Sequence, residues 1–594
     1  MLARTLAPTL IAALMAIPAA AQKPLQIAGG PTEAPYSLTA ADGTGLQLVG
    51  LDARAVVDGP LAFTELHLIF QNPQARVIEG HFSVTMPDGA AISRFAMKIN
   101  GNWMEGEVVE KQAARRAYED ALHRRQDPAL LEQDAGNSFR ARVFPIPANG
   151  RKELIISWSH ELVAKGEAYR LPLRGLPAIE RLTLTALTAA PAGGGGPQTS
   201  LGGDTSRYQV TKVEKQNYSP EQDWVVFGGD LPPTGDALRA DNLAVARFVV
   251  PAPDTPEDLK SAVLLIDTSA SRAIGFDGRL EATQALVAKL ADIGIGQVEV
   301  IAFDQTTESV YSGAPGGFGP KALEILKNRH ALGASDIGAA LDAVALTKGP
   351  GRRLIVLSDG VITAGEQDKE ALSKKVAALR AAGIERVDAL VDTTARDPAM
   401  LTVLVTADLP RPGQVIEARA PLAEQIARLS KKALPDIKIE VPGAQWVQPS
   451  TLRGMQGGDA AVVFADLPVG AALEVRLSGG VTATIAPKVR EAEKPLLERA
   501  WVNARIQRLL DLQTQGDPDL KGALKHQIID LSTKKRVLSP YTALVVLETE
   551  NDYARFNIDR NGLADILVVG ATGVELMQRA GATLALAPPP PPPP

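Results

Sequence analysis

Cysteine is absent from this 594-residue chain. That one absence excludes disulfides, thiol catalysis, a lipidated cysteine anchor and cysteine-ligated zinc together. Histidine is scarce. The six residues His67, His81, His123, His160, His330 and His526 never fall three or four apart, so no helix offers a metal a pair of imidazoles. A basic stripe is missing too, and the formal net charge of −6 argues against nucleic acid as a partner. Beyond the N-terminus no apolar run approaches membrane-spanning length, so the mature chain is expected to hold no span. Hydrolase chemistry lacks a nucleophile and base: Ser157 and His160 sit in SWSHE, without the strand-turn-helix elbow such a serine needs, and read as strand residues. The glycine-rich Gly313–Gly319 lacks the Gly-Lys-Ser/Thr ending of a phosphate loop and reads as a surface turn. No enzyme activity is expected.

What is present is ordinary for a folded protein, 45% hydrophobic and 22% charged. The length exceeds one core, so about three or four domains are expected. Arg4, the apolar run Leu6–Ile17 and Ala19-Ala20-Ala21 read as a signal peptide over residues 1–21. A secreted chain of this size without disulfides rests on its hydrophobic cores, which fits a Gram-negative cell envelope, secreted or periplasmic, better than an animal extracellular space.

The most informative residues are Asp267, Ser269 and Ser271 in AVLLIDTSAS. They follow an apolar run, Ala262–Ile266, that reads as a strand buried on both faces. Ligand sites in open α/β sheets lie just beyond the carboxyl ends of strands, where this triplet falls. A carboxylate with two alternating hydroxyls supplies hard oxygen donors suited to Mg²⁺ or Mn²⁺. A second apolar strand, in RLIVLSDG, delivers Asp359, and between the two GASDIGAA carries Ser335 ahead of a helical stretch.

These three loops, in this order, resemble the metal-ion-dependent adhesion site of the von Willebrand factor A family over Leu259–Pro435. The resemblance implies direct ligation of Mg²⁺ (or Mn²⁺) by Ser269, Ser271 and Ser335, with Asp267 and Asp359 direct or through water. It further implies a protein partner whose Asp or Glu completes the coordination. The family usually has Thr where this chain has Ser335, which keeps the hydroxyl but loses a methyl that stiffens the rotamer. An earlier stretch resembles the vault/inter-alpha-trypsin (VIT) domain, through the helix ending at Tyr118-Glu119, then Leu130–Gln133, Phe139–Val143 and Pro147–Lys152. A VIT domain followed by an A domain is the layout of inter-alpha-trypsin inhibitor heavy chains and of many bacterial secreted proteins. Those heavy chains are joined to a glycosaminoglycan through an Asp-Pro-His-type motif. Asp517-Pro518-Asp519 here lacks the His, so that activity is not expected.

The expected fold is multidomain: a β-rich VIT sandwich, a doubly wound α/β A domain, a small β domain and C-terminal helices. Its divisions are a signal peptide at 1–21, the VIT domain at 36–165 and a β-rich connecting segment with a Gly-rich loop at 166–258. The A domain follows at 259–435, the small β domain at 436–490, a helical and strand C-terminal region at 491–587, and a polyproline tail at 588–594. Helices are expected at Val109–Leu122, Arg279–Ile293, Gln367–Ala382, Leu422–Leu434, Leu496–Leu512 and Leu520–Leu531. Two functional readings stay open. In one, the ion grips an acidic residue of a protein partner; in the other, the chain is an envelope scaffold and the ion only stabilises the A domain.

Overall fold

A computed structural model describes residues 34–124, 128–189, 207–227, 231–514, 516–558 and 564–577. The expected signal peptide, the Gly-rich loop at 193–196 and the polyproline tail lie outside the described residues.

Two sheets form the N-terminal sandwich. The seven-stranded sheet runs, in spatial order, Tyr208–Tyr218, Ile179–Ala189, Gln47–Asp58, Leu61–Gln71, Arg151–Glu161, Ala91–Ile99 and Asn102–Glu105. Its inner face shows the alternation legible in TELHLIF: Leu66, Leu68 and Phe70 are buried against Phe82, Phe95 and Val143. The six-stranded sheet is less local. Its order is Tyr36–Ala40, Ile78–Thr85, Ser138–Ile146, Ala129–Gln133, Thr542–Val546 and Glu107–Glu110. The fifth of these strands arrives from the C-terminal region and pairs on both sides, Leu544 opposite Val108 and also opposite Leu131. Leu544 and Val546 enter the sandwich core, while Ala543 and Val545 meet Ala114, Tyr118 and Leu130 on the other face. The strand is anchored just upstream by a fully buried ion pair between Arg536 and Glu107.

This pairing corrects the first helix. It runs Lys111–His123 and not from Val109, because Val108 and Val109 are taken up as strand by the incoming residues. The Glu110 carboxylate then caps the helix by accepting from the Ala113 amide at 3.0 Å.

The A-domain sheet has the order Thr307–Gly313, Gln297–Phe303, Ser261–Asp267, Arg352–Leu357, Ile384–Val391 and Val415–Glu417. All neighbours are parallel except the edge strand Thr307–Gly313, which returns as an antiparallel hairpin. Ala262, Leu264 and Ile266 face one helical layer, and Val263 and Leu265 the other. That two-sided burial explains the continuous apolar run. The helix expected at Arg279–Ile293 is Phe276–Lys289 followed by a tight turn at Leu290–Ile293. The helix expected at Gln367–Ala382 is likewise Lys369–Ala378 plus a tight turn, closed by Gly383 at φ 84°. The closing helix stops at Leu429, short of Leu434, because residues 430–432 pair instead with the entering chain: Ser430 O accepts from Glu257 N, and Lys432 N donates to Thr255 O. Helix Pro398–Val405 is not among the helices that the sequence periodicity predicts.

Beyond the A domain, Ala460–Asp466 pairs with Leu243–Val249 from before it, so the segments on either side of the A domain share a five-stranded sheet. Helices Lys494–Thr514 and Pro518–Lys535 follow. No described helix is long and apolar enough to cross a membrane.

Ser157 and His160 are buried strand residues on Arg151–Glu161. Burial pushes the His160 imidazole down to about 4, and its Nδ1 has no partner among the described residues. Between the ordinary value and pH 4 the unfolded chain binds a proton that the folded chain refuses, so stability falls as pH drops through that window. Burial pushes the adjacent Glu161 carboxyl up to about 7, with the opposite sign: its contribution is complete below the ordinary carboxylate range and is lost as pH rises toward 7. His160→Gln is expected to remove about 2 kcal/mol of the stability lost on going from neutral pH to pH 5. Urea midpoints of parent and variant at both pH values check this. Equal acid losses in the two would refute it.

Candidate metal centre

The first loop leaves strand Ser261–Asp267 and turns at once, because one oxygen of the Asp267 carboxylate accepts from the Ser269 amide at 2.9 Å. A short turn at Ala270–Arg272 follows. The second loop is tied to the first by Ala270 N donating to Gly333 O at 2.7 Å. It is held from beneath by Thr363, whose hydroxyl accepts from the Ser335 amide at 2.8 Å. The next residue, Asp336, caps helix Ile337–Leu346 through the Ala339 amide. The third loop begins where Arg352–Leu357 ends and turns at Gly360, φ 76°, where an added Cβ would lie 2.7 Å from Leu401 Cγ.

These loops bring all five sequence-marked residues together. Ser335 Oγ donates to the second Asp267 oxygen at 3.2 Å. Ser269 Oγ and Ser271 Oγ lie 3.2 Å apart, and Ser271 Oγ donates to Asp359 at 2.7 Å. The other Asp359 oxygen accepts from the Val361 amide at 2.9 Å. Asp267, Ser269, Ser335 and Asp359 are buried, while Ser271 is exposed and marks the side open to solvent. Burial pushes the Asp359 carboxyl up, and the neighbouring Asp267 carboxylate adds to this against the lowering influence of Arg272. Among the described residues no group of three or more His, Asp or Glu converges as a metal cage. Two carboxylates and three hydroxyls, all oxygen, are instead groups that could hold a hard divalent cation.

Three participants were not singled out from the sequence. Ser358, fully buried, donates to the Asp267 carboxylate at 2.7 Å. It is visible in LSDG, but nothing there says which way it points. Arg272 directly follows the first motif and is buried. Its guanidinium is paired with Asp392, which also accepts from Arg279 Nε at 2.8 Å. Asp392 comes from the end of the adjacent strand, and its carboxyl would be raised by burial but is held below the ordinary range by the two arginines. His330 caps helix Pro320–Arg329 as an exposed residue, outside the hydroxyl and carboxylate cluster.

Residues 48–158 match the family model for the vault protein inter-alpha-trypsin domain, VIT. Over most of its length the chain is similar to inter-alpha-trypsin inhibitor heavy chain H4 of Homo sapiens, at 22% identity over 589 residues, covering 87% of this chain and 62% of that protein. A shorter likeness, 28% identical over 117 residues, links 19% of this chain to 6% of the protein mono-ADP-ribosyltransferase PARP4 of Mus musculus. So small a share of that protein transfers no activity. Among solved structures, the von Willebrand factor type A protein from Catenulispora acidiphila is similar at 16% identity, with 58% of this chain and 90% of that one covered and a TM-score of 0.27. At that score the A-domain assignment rests on the strand order and loops of this chain itself. The chain carries a VIT domain and resembles the inter-alpha-trypsin inhibitor heavy chains, of whose length it spans about 62%.

Proposed function

We propose that the chain is a secreted or envelope binding protein whose A domain holds Mg²⁺ or Mn²⁺ and uses it to grip an Asp or Glu of a protein partner. The observation that carries this is the convergence of Asp267, Ser269, Ser271, Ser335 and Asp359 from three loops at the carboxyl ends of two adjacent parallel strands. The ion would supply a Lewis-acidic centre for a carboxylate. The protein's part is to hold the hydroxyls and carboxylates in place. Hydroxyl donors bring no charge, so an ion bound directly by Ser269, Ser271 and Ser335, with a carboxylate of Asp267 or Asp359 acting through water, would keep positive charge for an external anion. Ser271, on the solvent side, marks where that anion would approach.

The burial of the other four residues favours a second reading, in which the ion only braces its own loops within a scaffold. Chelation separates the two. With the chain immobilised and challenged with envelope extract, EDTA or Asp267→Ala is expected to release the bound partner, and calorimetry of the variant to show no ion uptake. Asp267→Ala also strips the acceptor from Ser335, Ser358 and the Ser269 amide, at a cost of about 1–3 kcal/mol, so Asp267→Asn serves as a gentler companion. Partners that stay bound while the melting midpoint falls on chelation would decide for the scaffold. Equal ion uptake by parent and variant would dismiss the ion site altogether.

A further inference from the structure

The VIT domain touches the A domain beside the candidate metal centre. The turn joining strands Ala129–Gln133 and Ser138–Ile146 ends in Asn137, a buried residue whose partners span both domains. Its amide donates to Arg396 O, and its Oδ1 accepts from Arg396 N, each at 2.9 Å. Its Nδ2 donates to Met86 O of its own domain at 2.8 Å and to Thr394 O of the A domain at 2.9 Å. Gly136, at φ 59°, lets this approach happen: a Cβ there would stand 2.1 Å from the Arg396 carbonyl oxygen. Asp88 of the VIT domain accepts from Arg396 Nε at 3.1 and 3.0 Å, which pins the same segment from another side.

That segment, residues 392–397, is bound to the site at both of its ends. At its start, Asp392 holds the guanidinium of Arg272, the residue next to Ser271. At its end, the Asp397 amide donates to the carbonyl oxygen of Asp359 at 2.8 Å, and Gly360 packs against Asp397 and Leu401. The loops carrying Ser271 and Asp359 therefore share one strap, and Asn137 fastens the middle of that strap to the VIT domain.

We propose that Asn137 is a positioning residue for the A-domain ion site, and that ion binding and VIT docking favour one another through residues 392–397. This rests on the ion reading of the site. Ligand geometry in a small oxygen cage tolerates little displacement, so releasing the strap loosens Asp359 and Ser271 relative to Asp267 and Ser335. By linkage, an ion that favours the docked arrangement is itself bound more tightly when the VIT turn is docked.

The test is Mn²⁺ titration of the full chain, by calorimetry and by the electron paramagnetic resonance spectrum of the bound ion. Asn137→Ala is expected to weaken Mn²⁺ binding about tenfold and to alter the spectrum, within the usual range of coupling. Gly136→Ala, which leaves Asn137 in place but pushes on the Arg396 carbonyl, should act in the same direction. Asn72→Ala is the structural control. Asn72 is fully buried in the VIT domain, and its Nδ2 donates to Arg76 O and Pro147 O, but it makes no bond to the strap. It should leave Mn²⁺ affinity and spectrum unchanged. In the parent, Mg²⁺ should slow amide exchange at Asn137 and Arg396. Parent-like Mn²⁺ binding by both Asn137→Ala and Gly136→Ala overturns this inference alone, as does an equal loss in Asn72→Ala. A parent chain that takes up no Mn²⁺ overturns it together with the ion site.

Discussion

Val545→Asp is expected to leave the N-terminal sandwich without a cooperative unfolding transition, although the substitution lies far from that domain in sequence. Val545 is fully buried against Ala114, Tyr118, Ala121 and Leu130. Its strand has a neighbour on each side, so it cannot shift toward solvent at an edge. An unpaired carboxyl there costs about 5 kcal/mol, whether it stays charged or takes a proton, a large part of the roughly 5–15 kcal/mol that holds a domain together. A chain ending at Lys535 should fail in the same way, because it also loses the Arg536 partner of buried Glu107. Adding residues 536–558 as a peptide should restore protection of 107–133 against proteolysis. A truncated chain that melts like the parent would show that the sandwich stands without this strand.

Asp388→Ala should lower the A-domain melting temperature by about 10 °C, through a loss of about 3–5 kcal/mol. Asp388, Arg353 and Arg386 are fully buried. One Asp388 oxygen accepts from Arg353 at 2.5 Å, and the other from Arg386 Nε and Nη2 at 2.9 and 2.8 Å. Burial alone would raise this carboxyl, but the charges and hydrogen bonds of the two arginines overcome that and hold it below the ordinary range. The same guanidiniums reach Leu429 O and Lys431 O, and Arg386 also pairs with Glu257, so the network pins the entry and exit of the domain. Removing the carboxylate leaves two buried cations short of their counter-charge. Asp388 lies three residues before the end of its strand, so the variant should bind Mn²⁺ as the parent does wherever it remains folded. Thermal melts followed by circular dichroism check the first statement and calorimetry the second. A shift below about 3 °C would mean that water reaches and solvates the arginines.

Much of the A domain is legible from local pattern. An apolar run buried on both faces, such as AVLLI, has few alternatives to a central parallel strand, and a carboxylate at its end falls by geometry at the sheet's carboxyl edge. That geometry places Asp267, Ser269, Ser271 and Asp359 at or just past two strand ends, whereas Ser335, on the loop between helices Pro320–Arg329 and Ile337–Leu346, is marked only by the resemblance to the A family. Helix boundaries were less legible. The Val109 start and the Leu434 end were displaced by backbone pairing with residues distant in sequence, Leu544 and Ala543 in one case and Thr255 and Glu257 in the other. Local periodicity carries no record of such partners.

The sequence by itself determined that hard oxygen side chains follow two buried apolar strands, because that rests on residue chemistry and short-range periodicity, while the resemblance to the A family added Ser335. Only the tertiary structure decided that Thr542–Val546 would complete the first sandwich, that Ser358 would turn its hydroxyl to Asp267, and that Asn137 would reach the strap behind Asp359. Each of these depends on one backbone approaching another across a long stretch of chain. The free energy of such an approach comes from burying both surfaces at once, so neither segment alone carries its signature.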